Sequence, residues 1–396
     1  MTRNKLKVMC VFGTRPEAIK VAPIIMAAQS RRDIDIISCS TGQHREMLQQ
    51  VTNHFGIRPD IELQLMQPGQ TLTSLTSRCL TALGEAVEKY RPDCILGQGD
   101  TTSAMCAGMV AFYQRLPFIH VEAGLRTADI NSPFPEEMNR RICSLVSAVH
   151  CAPTQTAADN LLREGYSTND VFVTGNTVID ALNWTVRKER ADSHRWIEKH
   201  PDLAYGRLVL ITAHRRENHG EGIRNLCKAI LQLAERFPTV NFVYPVHLNP
   251  NILQPVHKIL DGLTNVHLIA PAEYPEFVWL MDRATLIISD SGGVQEEAPS
   301  LCKPVLVTRD STERPEALHV GATRLVGTDT QRVVEEVSHL LVDKQAYAAM
   351  QVEQNPYGDG HAAERILQLI SERFSTENIS TDGPISSSLL HSKVSP

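Results

Sequence analysis

The chain has 396 residues, of which 42% are apolar and 21% are charged, a composition that predicts packed cores and allows two or three domains. A net charge of −6 without a basic block argues against a nucleic-acid-binding protein, and the apolar runs are far shorter than a bilayer span. The start MTRNKLKVMC does not fit a signal peptide, and nine scattered cysteines without a C-x-x-C pair predict reduced thiols in the cytoplasm.

Short apolar strands alternate with helical patterns through the first half of the chain. Strands are predicted at 7–12, 34–39, 94–97, 117–121, 149–152 and 171–173. Helices are predicted at 18–28, up to 54, at 72–90, at 103–112 and from 154. Such alternation is typical of parallel βαβ units in a doubly wound sheet.

The first strand runs into Gly13-Thr14-Arg15-Pro16-Glu17, and Pro16 suits the first position of a helix. A helix start with free N–H groups is a natural anion site, to which Arg15 and Lys20 would add positive charge. An ordinary strand-to-helix turn with two surface cations is the alternative.

The stretch HVEAGLRTADINSPFPEEMNR at 120–140 combines several charged residues with glycine and prolines. Its glycine and prolines argue against a single helix and favour a strand, a loop and a new helix. Glu122 would then leave the carboxyl end of a buried strand, and Glu136 would lie at a helix start. In open α/β sheets ligands bind at that edge, so we predict a reactive centre here. Asp100 also follows a strand, although it could instead be a helix cap.

Residues 176–206 are more polar and are interpreted as a passage between domains. A second alternation follows, with strands predicted at 208–212, 242–245, 266–269, 286–289 and 304–308. Helices are predicted at 222–237, 277–284, 331–342, 347–354 and 361–374, and a polar tail starts at 375. The predicted fold class is therefore α/β, with two Rossmann-like doubly wound domains facing across a cleft.

Several polar groups in the second half fit a phosphate site. Ser291-Gly292-Gly293 joins a buried strand to a helix, where backbone N–H groups can approach an anion, although a packing turn would use the same glycines. Glu297 could accept from sugar hydroxyls or be solvated, and Arg314 could bind an anion or be exposed. His214 follows a strand and, like His247, could be structural. Metal-ligand spacing is absent from the sequence. These residues predict a phosphorylated or nucleotide ligand but not a reaction.

The motifs together resemble the non-hydrolysing UDP-N-acetylglucosamine 2-epimerases of bacteria. The matching stretches include VFGTRPEAIKVAP (11–23), GDTTS (99–103), HVEAGLRT (120–127), SPFPEEMNR (132–140), TAHRREN (212–218), SDSGGVQEEAPS (289–300), TERPEA (312–317) and NPYGDG (355–360). The resemblance implies the two-domain GT-B fold, a homodimer, no cofactor and a carboxyl-terminal helix that returns to the first domain. The expected domains are 1–175 with 361–380, carrying acid–base carboxylates, and 176–360, binding UDP, followed by a disordered tail at 381–396.

The resemblance also implies a reaction, the interconversion of UDP-N-acetylglucosamine and UDP-N-acetylmannosamine at C2 through elimination and re-addition of UDP, for surface polysaccharide synthesis. Carried over by motif, the acid–base group is Asp100, Glu122 and Glu136. His214 would meet the diphosphate or assist proton transfer. The residues expected to bind substrate are Arg15, Lys20, Phe277, Ser291, Gly292, Gly293, Glu297 and Arg314. Residues matching the site of a second, activating UDP-N-acetylglucosamine are Gln43, His44, Gln70, Arg215 and His247.

Three positions depart from the family pattern. Gln98 stands where many relatives have His, Cys302 replaces a usual Gly, and Ala128 follows Thr127 where Gly is common. The competing interpretations are a hydrolysing epimerase, a GT-B glycosyltransferase and a non-catalytic nucleotide-sugar sensor. The intact carboxylates Asp100, Glu122 and Glu136 count against the sensor.

Overall fold

The structure, a computed structural model, describes residues 5–42, 45–67, 69–127 and 129–374, and of residues 45–47 it describes the backbone alone. Gln43, His44 and the predicted tail at 381–396 lie outside the described residues. The chain forms two compact units. The first comprises the described residues of Met1–Ala152, Thr156–Thr174 and Ala363–Pro396, and the second comprises Pro153–Gln155 and Gly175–Ala362.

The described part of the first unit is built on one parallel sheet. Its seven strands are β1 (Leu6–Phe12), β2 (Ile34–Ser40), β3 (Ile61–Glu62), β4 (Cys94–Gln98), β5 (Phe118–Val121), β6 (Val149–Ala152) and β7 (Val171–Val173). They lie in the order β3-β2-β1-β4-β5-β6-β7. All residues of β4 and β5 are buried, as expected for central strands covered on both faces.

Six helices connect these strands within the described chain: α1 (Arg15–Ala28), α2 (Arg45–Phe55), α3 (Leu72–Tyr90), α4 (Thr102–Tyr113), α5 (Glu136–Val146) and α6 (Gln155–Arg163). Apolar side chains of α3 and α4 pack with those of β1 and β4 in one core, which includes Leu83, Ala107, Val11 and Ile95. Side-chain hydroxyls of Thr14, Thr71 and Thr101 cap the starts of α1, α3 and α4.

The second unit repeats this plan. Its described strands are β8 (Arg207–Thr212), β9 (Val240–Pro245), β10 (Val266–Ile269), β11 (Leu286–Ser289), β12 (Val305–Val307) and β13 (Thr323–Leu325). They form a parallel sheet in the order β10-β9-β8-β11-β12-β13. The unit's helices are α7 (Thr177–Ala191), α8 (His194–Lys199), α9 (Glu221–Arg236), α10 (Pro250–Leu260), α11 (Tyr274–Arg283), α12 (Gly292–Glu297), α13 (Pro315–His319), α14 (Thr330–Val342) and α15 (Lys344–Ala349).

The interpretation of residues 176–206 as a passage between domains is wrong. α7 is a packed helix of the second unit that contacts α11 and α12. Its polar residues misled the prediction because several are buried with partners. Glu189, for example, accepts a hydrogen bond from Trp196 at 2.7 Å and is paired with Arg195.

The predicted fold class is confirmed, since both units are doubly wound parallel sheets of the Rossmann type. The carboxyl-terminal helix α16 (Ala362–Phe374) belongs to the first unit from Ala363 onward, as expected. Strand order reverses between β1 and β4 in the first sheet and between β8 and β11 in the second. Ligands of such sheets bind beside this reversal, at the carboxyl ends of the strands. Among the described residues, no helix has the length and apolar character needed to span a membrane.

Candidate active site

Three polar loops of the first unit leave adjacent strands at the carboxyl edge of its sheet. They follow β1, β4 and β5, which are neighbours in the strand order. Gln98 at the end of β4 is paired with Val121 at the end of β5. The residues that come next, Asp100 and Glu122, are therefore brought to the same edge, as the sequence predicted.

Glu122 is a buried carboxylate with 5% of its side chain exposed. Its two oxygens accept hydrogen bonds from Lys20 Nζ at 2.7 and 2.6 Å, and the Gln98 amide donates to Oε2. The Glu122 backbone has a φ of +63°, which costs a residue with a Cβ on the order of 1 kcal/mol. The cation and the amide compensate the buried charge and fix the carboxylate in place.

The loop after Glu122 needs glycine two residues later. Gly124 has a φ of +90°, and a Cβ there would lie 2.2 Å from the carbonyl oxygen of Ala157. This close approach to α6 explains why the charged stretch turns so sharply after β5.

Asp100 is held by Arg140. Arg140 Nε and Nη2 lie 2.8 and 2.7 Å from Asp100 Oδ2, and Asn139 Nδ2 donates to the Asp100 carbonyl at 2.8 Å. The alternative role of Asp100 as a helix cap is wrong, because Thr101 caps α4 instead. About a quarter of the Asp100 side chain, 26%, remains exposed and can reach a ligand.

Glu137 supports this arrangement from within the protein. Its side chain is fully buried, and it accepts from Arg140 Nη1 at 3.1 Å, Arg141 Nε at 2.9 Å and the backbone N–H of Thr127 at 3.1 Å. Glu137 thus fixes the guanidinium that holds Asp100.

Glu136 is the first residue of α5, as predicted, where the helix dipole favours a carboxylate. It lies one turn before Arg140 on the same helix face, so it is directed toward the side of α5 that holds Asp100. Its Oε2 is buried and has no hydrogen-bond partner within the described part of the chain. A buried acceptor without a partner is available to a ligand.

The turn after β1 differs from the expectation of free N–H groups. Gly13 and Thr14 donate their backbone N–H groups to Glu17 Oε2 at 3.0 and 2.7 Å. These two donors are therefore unavailable to an anion, because Glu17 and Thr14 form a reciprocal capping box. Arg15, half-buried at the first position of α1, is still placed to contribute charge.

In the second unit, His214 follows β8 and packs on His247, with ring centroids 5.8 Å apart and planes 13° from parallel. The buried carboxylate of Asp290, just after β11, accepts from the backbone N–H groups of His214 and Arg215 at 2.9 and 2.8 Å. Burial lowers the pKa of His214, the Asp290 charge opposes this shift, and His247 and Arg215 add to it.

Two guanidinium groups lie beside the turn at Ser291-Gly292-Gly293. A Cβ on Gly292 would be 3.6 Å from Arg215 Nη2 and 3.9 Å from Arg314 Nη2. Arg314 also pairs with the buried Glu296 and is not an isolated surface residue. Small residues beside two cations give an anion both space and charge.

Glu297 ends α12 and is buried, so its alternative role as a solvated carboxylate is wrong. It accepts a hydrogen bond from the Tyr274 hydroxyl at 3.1 Å. Phe277 lies three residues after Tyr274 on α11, hence on a neighbouring part of the same helix face. In the first unit, Gln70 lies just before α3 and accepts from Arg78.

The comparison with known proteins decides the family. The model of the UDP-N-acetylglucosamine 2-epimerase family matches residues 26–371. The chain belongs to this family. It is an enzyme of the non-hydrolysing bacterial type, so the family and activity class inferred from the motifs are confirmed.

Individual epimerases agree with this assignment. A UDP-N-acetylglucosamine 2-epimerase of Escherichia coli O157:H7 is 50% identical over 374 residues, covering 92% of this chain and 98% of the relative. The crystal structure of the Neisseria meningitidis epimerase bound to UDP-GlcNAc has a TM-score of 0.86 at 48% identity, covering 93% of this chain and 100% of the other. The Methanocaldococcus jannaschii epimerase, solved with UDP-GlcNAc and UDP, has a TM-score of 0.77 at 32% identity, with coverage of 93% and 100%.

Sequence reasoning missed one organising residue of this epimerase, Glu17. Besides its two backbone donors, Glu17 accepts a hydrogen bond at 2.6 Å from the hydroxyl of Thr101, the cap of α4. Glu17 therefore joins the turn after β1 to the Asp100 loop. The T-R-P-E spacing of a capping box was a visible signal for the local contact, but the contact with Thr101 depends on strand order.

We expect Glu17→Ala to destabilise the enzyme by about 2 kcal/mol, because it removes a cap and leaves buried donors without acceptors. Glu17→Gln, which keeps an acceptor oxygen and can donate to Thr101, should cost less. Urea unfolding of both variants at pH 7 checks the order, and equal losses would contradict it.

Comparing the wild type with Glu17→Gln also predicts how stability depends on pH. Burial raises the pKa of Glu17 against the opposing hydrogen bonds, so the native state holds this proton more tightly than the unfolded chain does. The wild type should therefore lose stability as pH rises through that pKa, and Glu17→Gln should lack this component.

Proposed function

We propose that this protein interconverts UDP-N-acetylglucosamine and UDP-N-acetylmannosamine by eliminating UDP and adding it back. The observation that carries the proposal is Glu122, a buried carboxylate held by Lys20 and Gln98 at the carboxyl edge of the first sheet. The E. coli and N. meningitidis relatives, both named as UDP-GlcNAc 2-epimerases, support the same substrate.

Elimination is the route that the substrate chemistry favours. The C2 proton has no adjacent carbonyl to acidify it, so direct abstraction would be slow. If a base takes the C2 proton as the C1–O bond breaks, the C2–H electron pair forms the C1=C2 double bond. UDP then leaves with the C1–O electron pair. Protonation of 2-acetamidoglucal on the opposite face of C2, with return of UDP to C1, gives the epimer. This chemistry needs proton-transfer groups on both faces and stabilisation of the departing diphosphate.

Asp100, Glu122 and Glu136 are the proposed acid–base group, with their individual roles left open. The three carboxylates have different neighbours, which supports different proton-transfer roles for them. Glu122 is paired with an ammonium, Asp100 with a guanidinium, and a buried oxygen of Glu136 has no partner among the described residues. Carboxylates in unlike environments can hold and release a proton at different stages of one reaction.

The second unit is proposed to hold UDP. The turn at Ser291-Gly292-Gly293, with Arg314 beside it, would bind the diphosphate. Glu297, which accepts from Tyr274 of α11, would accept from the ribose, and Phe277, three residues after Tyr274, would pack on uracil. His214 would face the diphosphate, while Arg15 and Lys20 in the first unit would add positive charge. Lys20 then has a second task, since it also holds Glu122.

One experiment tests the proposal against its rivals. The protein is incubated with UDP-N-acetylglucosamine in D₂O and followed by ¹H NMR. Deuterium at C2 of both UDP-sugars, without free sugar, is the expected result. Free N-acetylmannosamine and UDP would instead indicate a hydrolysing enzyme. An unchanged substrate would contradict the proposal and leave a glycosyltransferase or a sensor.

We further propose that a second UDP-N-acetylglucosamine activates the enzyme. Two observations support this: His247 stacks on His214, and the side chain of the neighbouring Arg215 is 35% exposed. Gln43, His44 and Gln70 would complete the site. A sigmoidal dependence of the epimerisation rate on UDP-N-acetylglucosamine concentration is expected, and a hyperbolic one would count against the activator.

A homodimer is proposed from exposed apolar side chains of the first unit. Phe112, Tyr113 and Leu145, near the ends of α4 and α5, are 64%, 67% and 76% exposed. A Cβ on Gly108 would lie 2.9 Å from Val146 Cγ2, so the two helices cross close to these side chains. Apolar surface of this kind is typical of an interface.

We propose that the UDP-N-acetylmannosamine formed in the cytoplasm supplies the synthesis of a surface polysaccharide.

We expect Leu145→Asp to convert the dimer into a monomer, because it places a charge in the proposed interface. Light scattering after size-exclusion chromatography gives the mass directly. Val342→Asp, at a side chain of the second unit that is 72% exposed, is the control and should leave the dimer intact. A monomeric wild-type protein, or a dimeric Leu145→Asp variant, would contradict this interface.

A further inference from the structure

The two carboxylate oxygens of Asp290 differ in their hydrogen bonds. Its side chain has no exposed surface. Oδ2 accepts three hydrogen bonds, from the backbone N–H groups of His214 and Arg215 at 2.9 and 2.8 Å and from Asn218 Nδ2 at 3.0 Å. This oxygen therefore anchors the loop that follows β8.

Oδ1 of Asp290 does not take part in that anchoring. It is buried and has no hydrogen-bond partner within the described ranges, and it lies 3.7 Å from Nδ1 of His214. Leaving a buried carboxylate oxygen without a donor is unfavourable. Anchoring the loop requires only one acceptor oxygen, and an asparagine amide would supply it. The second carboxylate oxygen is therefore not needed for the anchor.

The imidazole of His214 is oriented by its surroundings on two sides. One face stacks on His247, and Nδ1 is directed toward Asp290, while 43% of the side chain stays exposed. With Nδ1 on the buried side, Nε2 is left for the exposed side. The titratable groups near the ring are Asp290, His247 and Arg215, and Arg215 is itself paired with Glu313 at 3.1 Å.

We propose that Asp290 is a positioning residue that keeps the Nδ1–H tautomer of His214 and directs Nε2 toward the ligand. Closing the 3.7 Å separation by about 1 Å would complete an Nδ1–H···Oδ1 hydrogen bond of ordinary length. A carboxylate behind a histidine fixes both its tautomer and its orientation and stabilises its protonated form. The inference rests on the proposed function, in which His214 meets the diphosphate of the substrate. The diphosphate oxygens accept hydrogen bonds, so Nε2 can bind them once it carries a proton, and Asp290 stabilises the imidazolium that then forms.

Asp290→Asn separates this role from loop anchoring. The asparagine carbonyl can replace Oδ2 toward the three loop donors, and its NH₂ group then faces Nδ1 of His214. That group can only donate, so it favours the opposite tautomer, with the proton on Nε2. We expect kcat to fall at least roughly 10- to 100-fold, the range seen for partners that orient metal-binding histidines. KM and the affinity for UDP should change much less.

Asn218→Ser is the matched control, because it removes a donor to Oδ2 without changing the oxygen that faces His214. Asn218 also donates to the carbonyl of Thr308, so this variant weakens the loop anchor by two hydrogen bonds. If Asp290 only anchors the loop, Asn218→Ser will reproduce the loss of kcat, and the proposal is wrong. If Asp290 acts through His214, Asn218→Ser will retain most of the activity.

The state of the ring can be measured without turnover. In protein labelled with [¹⁵N]histidine, the His214 signals are identified by their loss in His214→Gln. The wild type should show the proton on Nδ1, and Asp290→Asn should show it on Nε2, with the ionisation of His214 moved to lower pH because the neighbouring anion is gone. An unchanged tautomer would overturn the proposal, whether or not the protein is an epimerase.

A double substitution tests by kinetics whether Asp290 acts through His214. In a His214→Gln background, Asp290→Asn should have little further effect on kcat, because its partner is already absent. Additive losses would mean that Asp290 acts independently of His214 and would contradict the inference. If the wild type itself fails to exchange deuterium at C2, the proposed function fails, while the tautomer measurement still decides the role of Asp290.

Discussion

Replacing Glu122 by Gln is expected to stop epimerisation, with kcat falling by roughly 1000-fold, within the range for loss of a general acid or base. Glutamine keeps the size of the side chain and an acceptor oxygen for Lys20, but it cannot take up a proton. The rate of deuterium incorporation at C2 of UDP-N-acetylglucosamine measures the effect. Glu136→Gln is expected to behave in the same way. It replaces the carboxylate, whose buried Oε2 has no partner among the described residues, by an amide that cannot transfer a proton.

The affinity for UDP should be retained in both variants, with a change of under about 1 kcal/mol by calorimetry, since neither substitution alters the turn, Arg314, Glu297 and Phe277 proposed to bind UDP in the second unit. Glu85→Gln, at an exposed glutamate of α3, is the matched control and should have wild-type activity. Full activity in Glu122→Gln or Glu136→Gln would refute the acid–base assignment for that residue. Loss of UDP binding would show that the substitution had disturbed more than proton transfer.

Lys20→Met is expected to lower the free energy of unfolding of the first unit by about 3 kcal/mol, because it leaves a buried carboxylate without its cation. The Lys20 and Glu122 side chains are 15% and 5% exposed, so water can compensate only in part. Far-UV circular dichroism during urea unfolding reports both units. Tryptophan fluorescence reports the unfolding of the second unit alone, because Trp184, Trp196 and Trp279 all lie there. It therefore serves as the reference for the first unit.

The double variant Lys20→Met/Glu122→Gln separates charge from packing. It should regain most of the lost stability, because the buried charge is removed, and yet remain inactive. Lys7→Met, at an exposed lysine of β1, should leave the unfolding curve unchanged. A double variant no more stable than Lys20→Met would show that the ion pair is not the source of the effect.

Sequence patterns predicted the fold well where the apolar signal was continuous. The bounds of Val149–Ala152 and Leu286–Ser289 agree with the structure, because buried parallel strands are short runs of apolar residues between polar loops. The bounds of the partly buried edge strands Val171–Val173 and Val266–Ile269 agree as well. The helix Leu72–Tyr90 also agrees, since its apolar positions recur at helical spacing over five turns.

The missed elements lack such a signal. β3 (Ile61–Glu62) and β13 (Thr323–Leu325) are edge strands of two and three residues, too short to show any periodicity. α10 contains Pro255 in its interior and begins at Pro250, so its sequence indicates a break rather than a helix. α7 was misread because its buried polar side chains imitate a solvated segment.

At the candidate site, the sequence identified the carboxylates but not what holds them. Asp100 and Glu122 were recognisable because each follows an apolar run. The contacts of Glu122 with Gln98 and Lys20 join positions 24 and 102 residues apart, and they exist only once β1, β4 and β5 are adjacent. Asp290 directly precedes the turn that the sequence predicted for phosphate, and its bonds to the His214 loop depend in the same way on β8 lying beside β11.

The hydroxyl of Thr101 lies at a junction between the two loops that follow β1 and β4. It donates to Glu17, which closes the start of α1, and it accepts from the Ala104 N–H at the start of α4. One hydroxyl thus links two helix termini, so the loops after β1 and β4 share a hydrogen-bonded contact at Thr101. A substitution that removes this hydroxyl should therefore disturb the starts of both α1 and α4, so the two loops are best redesigned as one unit.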